Sequence, residues 1–293
     1  MSTTSNSLPS ADASTEYVPF IIVSAARTGS NMLASSLNSS PEIICFRELF
    51  NWLGKFIDYN VEGYDRSSPE DQALRQQDFR SFLRKRIFCP HPKEVRAVGF
   101  KMPHDHFSGF EGLLDWLAND TDIRVVHLKR RNQLRMLVSW KYAWMTGSWV
   151  EDRKQTLRTK FRLSNAPGAL RDPRRAVFRL WRFLRPRRPW QARREPLTLS
   201  VEECQAFYEK TERDATYYGN RFREHPELTV YYEDLVSRRR TTLDQVQTFL
   251  GAKPRRLDVT TRQQNPEPLR NFLANYDELY EAFKDTPYAA FFD

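Results

Sequence analysis

Apolar runs alternate with longer segments of helical periodicity along this 293-residue chain. The runs predict strands at about 18–24, 42–46, 95–101, 123–129 and 227–232. The periodic segments predict helices at about 30–38, 48–58, 70–87, 108–118, 132–146, 172–184, 200–223, 239–250 and 267–283. Because strands and helices alternate, we predict an α/β fold with a P-loop-type parallel sheet of about five strands flanked by helices.

The most informative pattern covers Tyr17–Leu37, where an apolar strand, a short turn and an apolar-periodic helix follow one another. This layout is typical of a phosphate-binding loop, in which backbone N–H groups at a helix N-terminus point at an anion. Gly29 lets the backbone approach a ligand closely, and Thr28 and Ser30 add hydroxyl groups. Arg27 contributes the positive charge.

The loop departs from the pattern G-x-x-x-x-G-K-[ST] of nucleoside triphosphate-binding proteins. Ser24, Ser30 and Asn31 stand at three of its four fixed places, and the cation has moved forward to Arg27. A second strand, where such proteins place a metal-holding Asp, runs instead into Lys129–Arg131. The sequence therefore predicts two anion sites at neighbouring strand ends and no metal site.

Together these motifs resemble those of the sulfotransferases that use 3′-phosphoadenosine 5′-phosphosulfate. Arg27–Ser30 is similar to the Arg-[Ser/Thr]-Gly-Ser of carbohydrate-directed members, and Arg131 with Ser139 is similar to the second motif, an Arg followed eight residues later by a Ser. Looser similarities to bacterial and carbohydrate-directed members occur at Arg47–Asn51, Val98–Lys101, Tyr232–Leu235, Gln264–Asn265 and Asn275–Leu279.

The resemblance implies how the donor is held. The residues expected to bind its 5′-phosphosulfate are Arg27, Thr28, Gly29, Ser30 and Asn31. Arg27 would also neutralise the bridging oxygen as the bond to sulfur breaks. The 3′-phosphate would be bound by Arg131 and Ser139, and Arg262 is expected to contact this phosphate or the adenine. Lys129, Arg130 and Arg135 are competitors for the role of Arg131.

Two residues compete for the role of catalytic base. Glu48 follows the second strand, and a Glu in this patch is the expected base of the carbohydrate-directed branch. A carboxylate can accept a sugar hydroxyl proton if burial raises its pKa. His104 is the alternative, but its spacing from Lys101 is one residue longer than in the K-x-H motif of cytosolic aryl and steroid sulfotransferases. We favour Glu48 and keep His104 in reserve.

The positive charge of the chain is concentrated in one segment. Residues 151–194 hold 15 basic and three acidic residues, whereas the remainder holds 31 basic and 34 acidic residues. We predict a disordered tail over 1–16 and a single domain over 17–293, with a basic insertion or lid at about 147–196. The insertion could bind an acidic acceptor or a membrane surface, and nucleic acid is the less favoured partner. The alternative function is a non-catalytic protein that binds anions or nucleic acid through 151–194.

Other features indicate the compartment and the acceptor. No run of 18 apolar residues and no signal-like N-terminus is present, and three widely spaced cysteines predict free, mostly buried thiols. We expect a cytoplasmic enzyme that sulfates a hydroxyl of a carbohydrate or glycolipid, with the acceptor and the oligomeric state left open. Tyr232–Leu235 is predicted to be structural, with Asp234 capping the segment after the last strand.

Overall fold

The computed structural model describes residues 17–51, 68–147, 195–259 and 267–292. The chain forms two compact units. The first unit draws on Met1–Arg131 and Lys210–Val259, and the second on Asn132–Glu209 and Thr260–Asp293. The single domain over 17–293 remains a prediction.

The first unit contains a parallel sheet of five strands. These are β1 (Val18–Ser24), β2 (Ile43–Phe46), β3 (Ala97–Pro103), β4 (Arg124–Lys129) and β5 (Glu227–Tyr231). Their order across the sheet is β2-β3-β1-β4-β5, and each neighbouring pair is parallel. The predicted α/β class and all five predicted strands are therefore confirmed.

Apolar residues cover both faces of this sheet, as parallel sheets require. Ile21 and Val23 of β1 belong to a core on one face, whereas Phe20 and Ile22 belong to a core on the other. This division follows from the twofold side-chain period of a strand. All four side chains are essentially inaccessible to solvent, so β1 is a central, fully buried strand.

Helices follow the strands in chain order. They are α1 (Ser30–Leu37), α2 (Pro69–Gln77), α3 (Phe79–Phe82), a π-helical turn (Leu83–Ile87), α4 (Leu113–Ala118), α5 (Gln133–Thr146), α6 (Val201–Phe222), α7 (Tyr232–Ser237), α8 (Arg239–Phe249) and α9 (Tyr276–Phe283). Short 3₁₀ helices cover His104–Gly109, Leu269–Asn271 and Pro287–Phe291. Each helix of the described ranges is too short or too polar to cross a bilayer.

Four predicted helices are wrong in part. The helix predicted over 108–118 begins only at Leu113, after a 3₁₀ helix that ends at Gly109. Residues 48–51 form a turn rather than the beginning of a helix. The helix predicted over 70–87 is interrupted at Asp78, which leaves helical geometry and accepts a hydrogen bond from the backbone N–H of Ser81 to begin α3. The last predicted helix begins only at Tyr276, after an irregular segment. The predicted helix over 172–184, the tail over 1–16 and the basic segment lie outside the described residues.

The second unit has its own apolar core, built from α5, the N-terminal part of α6 and the C-terminal helices. Tyr208 is fully buried there. The side chain of Asn275 exchanges hydrogen bonds with the backbone N–H and carbonyl of Leu199, at 3.3 and 2.8 Å. The three cysteines are free, with Cys45 and Cys204 buried and Cys89 partly exposed, as predicted.

Candidate active site

The turn between β1 and α1 has the backbone of an anion-binding loop. Arg27 and Gly29 both lie in the left-handed region, with φ of 67° and 85°. Such a conformation is strained for Arg27, at a cost of about 1 kcal/mol, and strain of this kind concentrates at functional sites. The hydroxyl of Thr28 donates to the carbonyl of Ala25 at 2.9 Å and closes the turn.

Gly29 is required here for space as well as for conformation. A Cβ atom at this position would lie 2.5 Å from Cδ2 of Tyr232, closer than real contacts allow. Gly29 is also the N-cap of α1, and it has no side chain with which to cap the first N–H groups of the helix. Those donors and the positive end of the helix dipole therefore suit an anion at this turn.

A buried lysine supplies the cation that the loop pattern lacks. Lys101 lies near the end of β3, with 2% of its side chain exposed. Its Nζ atom donates to Oδ1 of Asn31 at 2.8 Å and to Oγ of Ser30 at 3.3 Å. In the sequence Lys101 lies at a predicted strand end, as Arg27, Glu48 and Arg131 do, and these ends could converge on one crevice. No role in the site was assigned to Lys101.

Glu48 lies in the same cluster. Its Oε1 atom is 2.7 Å from Nζ of Lys101, and Nδ2 of Asn51 donates to its Oε2 atom at 2.6 Å. Burial alone would raise the pKa of Glu48, but the charges of Lys101 and His106 and these hydrogen bonds outweigh it and lower the pKa to about 2. A raised pKa was the condition under which Glu48 would act as a strong base, and in the unliganded site Lys101 opposes that rise.

His104 directly follows β3, whose last residue, Pro103, is in register with Ser24 of the loop. Its ring stacks on Tyr218 at 4.3 Å between centroids, and burial lowers its pKa to about 4. Within the described part of the chain, Nδ1 of His104 has no hydrogen-bond partner. His104 is therefore neutral at pH 7 and able to accept a proton.

Two arginines follow β4 and have different partners. Arg130 donates from Nη1 to the carbonyl of Arg27 at 3.1 Å, and its guanidinium lies over the ring of Tyr232 at 4.4 Å. Arg131 lies over the ring of Tyr231 at 3.9 Å and makes a bidentate pair with Asp234, at 3.1 and 2.9 Å. Both cations therefore lie at the strand edge that carries the loop.

The predicted donor-binding residues are distributed as follows. Arg27, Thr28, Gly29, Ser30 and Asn31 form the loop and the beginning of α1 in the first unit, and Arg131 follows β4 in the same unit. Ser139 is buried on α5 in the second unit, so its pairing with Arg131 stays a prediction. Arg262 lies outside the described residues.

These residues give the first unit a strand–turn–helix anion loop, a buried lysine–glutamate pair and two arginines at the next strand end. A parallel α/β sheet with these groups at its strand ends is an arrangement suited to binding a phosphate-bearing ligand. A comparison with known proteins finds relatives of similar length. The chain is 29% identical over 292 residues to nodulation protein H of Rhizobium tropici, and the alignment covers 98% of this chain and 96% of that protein.

Other comparisons are as follows. Nodulation protein H of Rhizobium meliloti is 25% identical over 280 residues, covering 94% of this chain and 95% of that protein. A sulfotransferase from Alicyclobacillus acidocaldarius superimposes with a TM-score of 0.43 at 13% identity, covering 94% of each chain. The sulfotransferase domain of the Synechococcus PCC 7002 olefin synthase superimposes with a TM-score of 0.38 at 13% identity, and the superposition covers 81% of this chain and 74% of that chain. No family model matches the chain.

Proposed function

We propose that this protein transfers a sulfuryl group from 3′-phosphoadenosine 5′-phosphosulfate to a hydroxyl of a carbohydrate or glycolipid. The observation that carries the proposal is the buried cluster of Lys101, Glu48 and the first residues of α1. It joins a cation for the sulfuryl end of a donor to a carboxylate that can receive the acceptor proton. The motifs at Arg27–Ser30 and at Arg131 with Ser139, which resemble those of carbohydrate-directed sulfotransferases, support the same class of reaction.

The residues present fit such a donor. The backbone donors of the loop and the charges of Arg27 and Lys101 suit a 5′-phosphosulfate. Arg131 keeps 48% of its side chain exposed, and its planar guanidinium is suited to bidentate recognition of a phosphate at the 3′ position. When bound, the donor supplies an activated sulfuryl group whose sulfur–oxygen bond to the 5′-phosphate breaks as the acceptor oxygen bonds to sulfur.

We assign the acceptor proton to Glu48. The low pKa of this group describes a site in which Lys101 has no competing anion. An anion at the loop would share the charge of Lys101, through the same Nζ atom that now contacts Ser30 and Asn31. Glu48 would then become a stronger base when a donor is present. His104 remains the reserve base, since it is already neutral.

The acceptor class rests on sequence similarity rather than on a pocket. The Arg-type loop and the Glu48 patch are the features shared with carbohydrate-directed sulfotransferases. The basic segment 151–194 would meet an acidic part of the acceptor or a membrane surface. We also propose that the reaction takes place in the cytoplasm, where the three free cysteines would stay reduced.

Turnover with a radiolabelled sulfuryl donor and a panel of chitin oligosaccharides, lipid-linked glycans and phenols tests the proposal. Glu48→Gln should lower kcat by about 10²-fold or more, the usual contribution of a general base, while the KM for the donor changes little. His104→Gln is the matched variant and should retain activity. If His104→Gln abolishes kcat and Glu48→Gln does not, the base assignment is wrong. Absence of transfer to every hydroxyl by an enzyme that binds the donor would overturn the proposed reaction.

A further inference from the structure

Four consecutive residues at the end of β5 contact both of the anion-binding elements of the first unit. They are Tyr231, Tyr232, Glu233 and Asp234, named here the YYED segment. The sequence predicted only a structural strand exit with Asp234 as a cap. Instead, Asp234 is the third residue of α7, and its carboxylate accepts hydrogen bonds from Arg131 and Arg238.

Tyr232 is the residue of the YYED segment that contacts the loop. The ring of Tyr232 occupies the space next to Gly29, where a Cβ would lie 2.5 Å from its Cδ2 atom. The same ring lies 4.4 Å below the guanidinium of Arg130, which donates to the carbonyl of Arg27 at 3.1 Å. Tyr232 therefore contacts one left-handed residue of the loop directly and the other through Arg130.

The other three residues of the YYED segment hold Arg131 at three places. Both carboxylate oxygens of Glu233 accept a hydrogen bond from the backbone N–H of Arg131 at 3.1 Å. Asp234 accepts from Nη1 and Nη2, and Tyr231 lies 3.9 Å from the guanidinium on one face. A guanidinium has five N–H donors, of which this pair uses two. Its remaining donors are fixed in direction and, among the described residues, can face a ligand.

The charges around Arg131 allow its guanidinium to be positioned without complete neutralisation. Asp234 lies 2.9 Å from both Arg131 and Arg238, and a carboxylate oxygen of Glu233 lies 4.0 Å from Nη1 of Arg131. These two carboxylates balance the two arginines, and Arg130 adds a further positive charge at the same strand end. The carboxylates therefore direct the guanidinium while a positive charge remains nearby.

We propose that the YYED segment is a positioning element that sets the donor-binding geometry at both ends of the nucleotide, with Tyr232 acting on the loop and Asp234 acting on Arg131. This inference rests on the proposed function, because it takes Arg131 as a residue for the 3′-phosphate. Its residues act through Gly29, Arg130 and Arg131 and are not catalytic themselves.

Isothermal titration with adenosine 3′,5′-bisphosphate and with adenosine 5′-phosphate tests the inference on the full-length protein. Asp234→Asn should weaken binding of the bisphosphate about tenfold and leave binding of the 5′-phosphate unchanged, since one charged hydrogen bond to Arg131 is lost. Tyr232→Leu should weaken both ligands. Asp244→Asn is the matched control, because it also breaks an Asp–Arg pair, with Arg240 at 2.7 Å, on the neighbouring helix α8.

A double-mutant cycle separates positioning from a general loss of structure. In an Arg131→Ala background, Asp234→Asn should have no further effect on bisphosphate binding. An equal loss in both backgrounds, or tighter binding by Asp234→Asn alone, would overturn the positioning role. If the wild-type protein binds neither nucleotide, the proposed function fails first. If the wild type binds the bisphosphate and the variants match it, only the inference about the YYED segment fails.

Discussion

The Nζ atom of Lys101 lies 2.7 Å from the Oε1 atom of Glu48, and the same nitrogen donates to the first turn of the helix after the loop. A cation on β3 thus links the anion loop to the proposed base on the turn after β2. Lys101 is buried and 22% of the Glu48 side chain is exposed, so solvent screens this pair less than it would a surface pair. Changes to either residue should therefore affect both the stability of the fold and the chemistry of the site.

Removing the charge of Lys101 should destabilise the protein through Glu48. Lys101→Met keeps most of the volume but leaves a carboxylate buried without its counter-charge, at a cost of about 3 kcal/mol. Urea unfolding at pH 7 measures this cost. The double variant Lys101→Met/Glu48→Gln should recover much of it, and failure to recover would show that the lysine acts by packing alone. Lys141→Met, which breaks a more exposed pair with Glu203, should cost less than about 1 kcal/mol.

The ionised carboxylate of Glu48 should add to the unfolding free energy at neutral pH, and this contribution should be lost in acid. Its pKa is lowered from 4.5 to about 2 in the folded protein, so the ionised form stabilises the fold fully above pH 4.5. That contribution is lost as the pH falls toward 2, and it amounts to at most about 3 kcal/mol. The difference in unfolding free energy between wild type and Glu48→Gln should be constant from pH 7 to 5 and should narrow below it. A difference that widens with acid would contradict the pairing.

His104 should produce a pH dependence at higher pH. Burial lowers its pKa from 6.5 to about 4, so the unfolded chain binds a proton between these values and the folded protein does not. The unfolding free energy therefore has its full value, as far as His104 is concerned, above pH 6.5, and it decreases as the pH drops to 4. His104→Gln should flatten the unfolding free energy over this range, by at most about 3 kcal/mol. An unchanged slope would mean that His104 titrates normally.

Gly29→Ala should disrupt ligand binding more than folding. The substitution adds the strain of a left-handed alanine, about 1 kcal/mol, and a clash with Tyr232. Gly147→Ala is the matched control, since Gly147 has φ of 67° but a Cβ added there would meet nothing within 4 Å among the described residues. Urea unfolding should show a loss of about 1 kcal/mol from backbone strain in both variants, and a larger loss in Gly29→Ala because of the clash. Only Gly29→Ala should lose nucleotide affinity. Equal nucleotide affinity in the two variants would show that Gly29 is not part of the binding site.

The sheet could be predicted from the sequence because its strands are apolar runs with clear ends. The loop at Gly29 could be predicted because its strand–turn–helix pattern is local in the sequence. Breaks within helices were harder to predict. Asp78 stops one helix and begins the next through a single hydrogen bond, which leaves no trace in the apolar periodicity.

The electrostatics of the site could not be predicted, because its partners are distant in the sequence. Lys101 meets Asn31 across 70 positions, and Arg131 meets Asp234 across 103. Each of these contacts depends on the order of the strands in the sheet. For that reason the effect of Lys101 on the pKa of Glu48 and the contact of Tyr232 with Gly29 were missed.

Thermal unfolding with adenosine 3′,5′-bisphosphate, compared with ADP, ATP with Mg²⁺ and adenosine 5′-phosphate, would establish whether the site binds the nucleotide of a sulfuryl donor. At about a hundred times its Kd the bisphosphate should add roughly 2.7 kcal/mol and raise Tm by a few degrees. The rise should be largest for the bisphosphate and should be lost in Arg131→Ala. No rise, or a rise only with ATP and Mg²⁺, would contradict the proposed sulfuryl transfer.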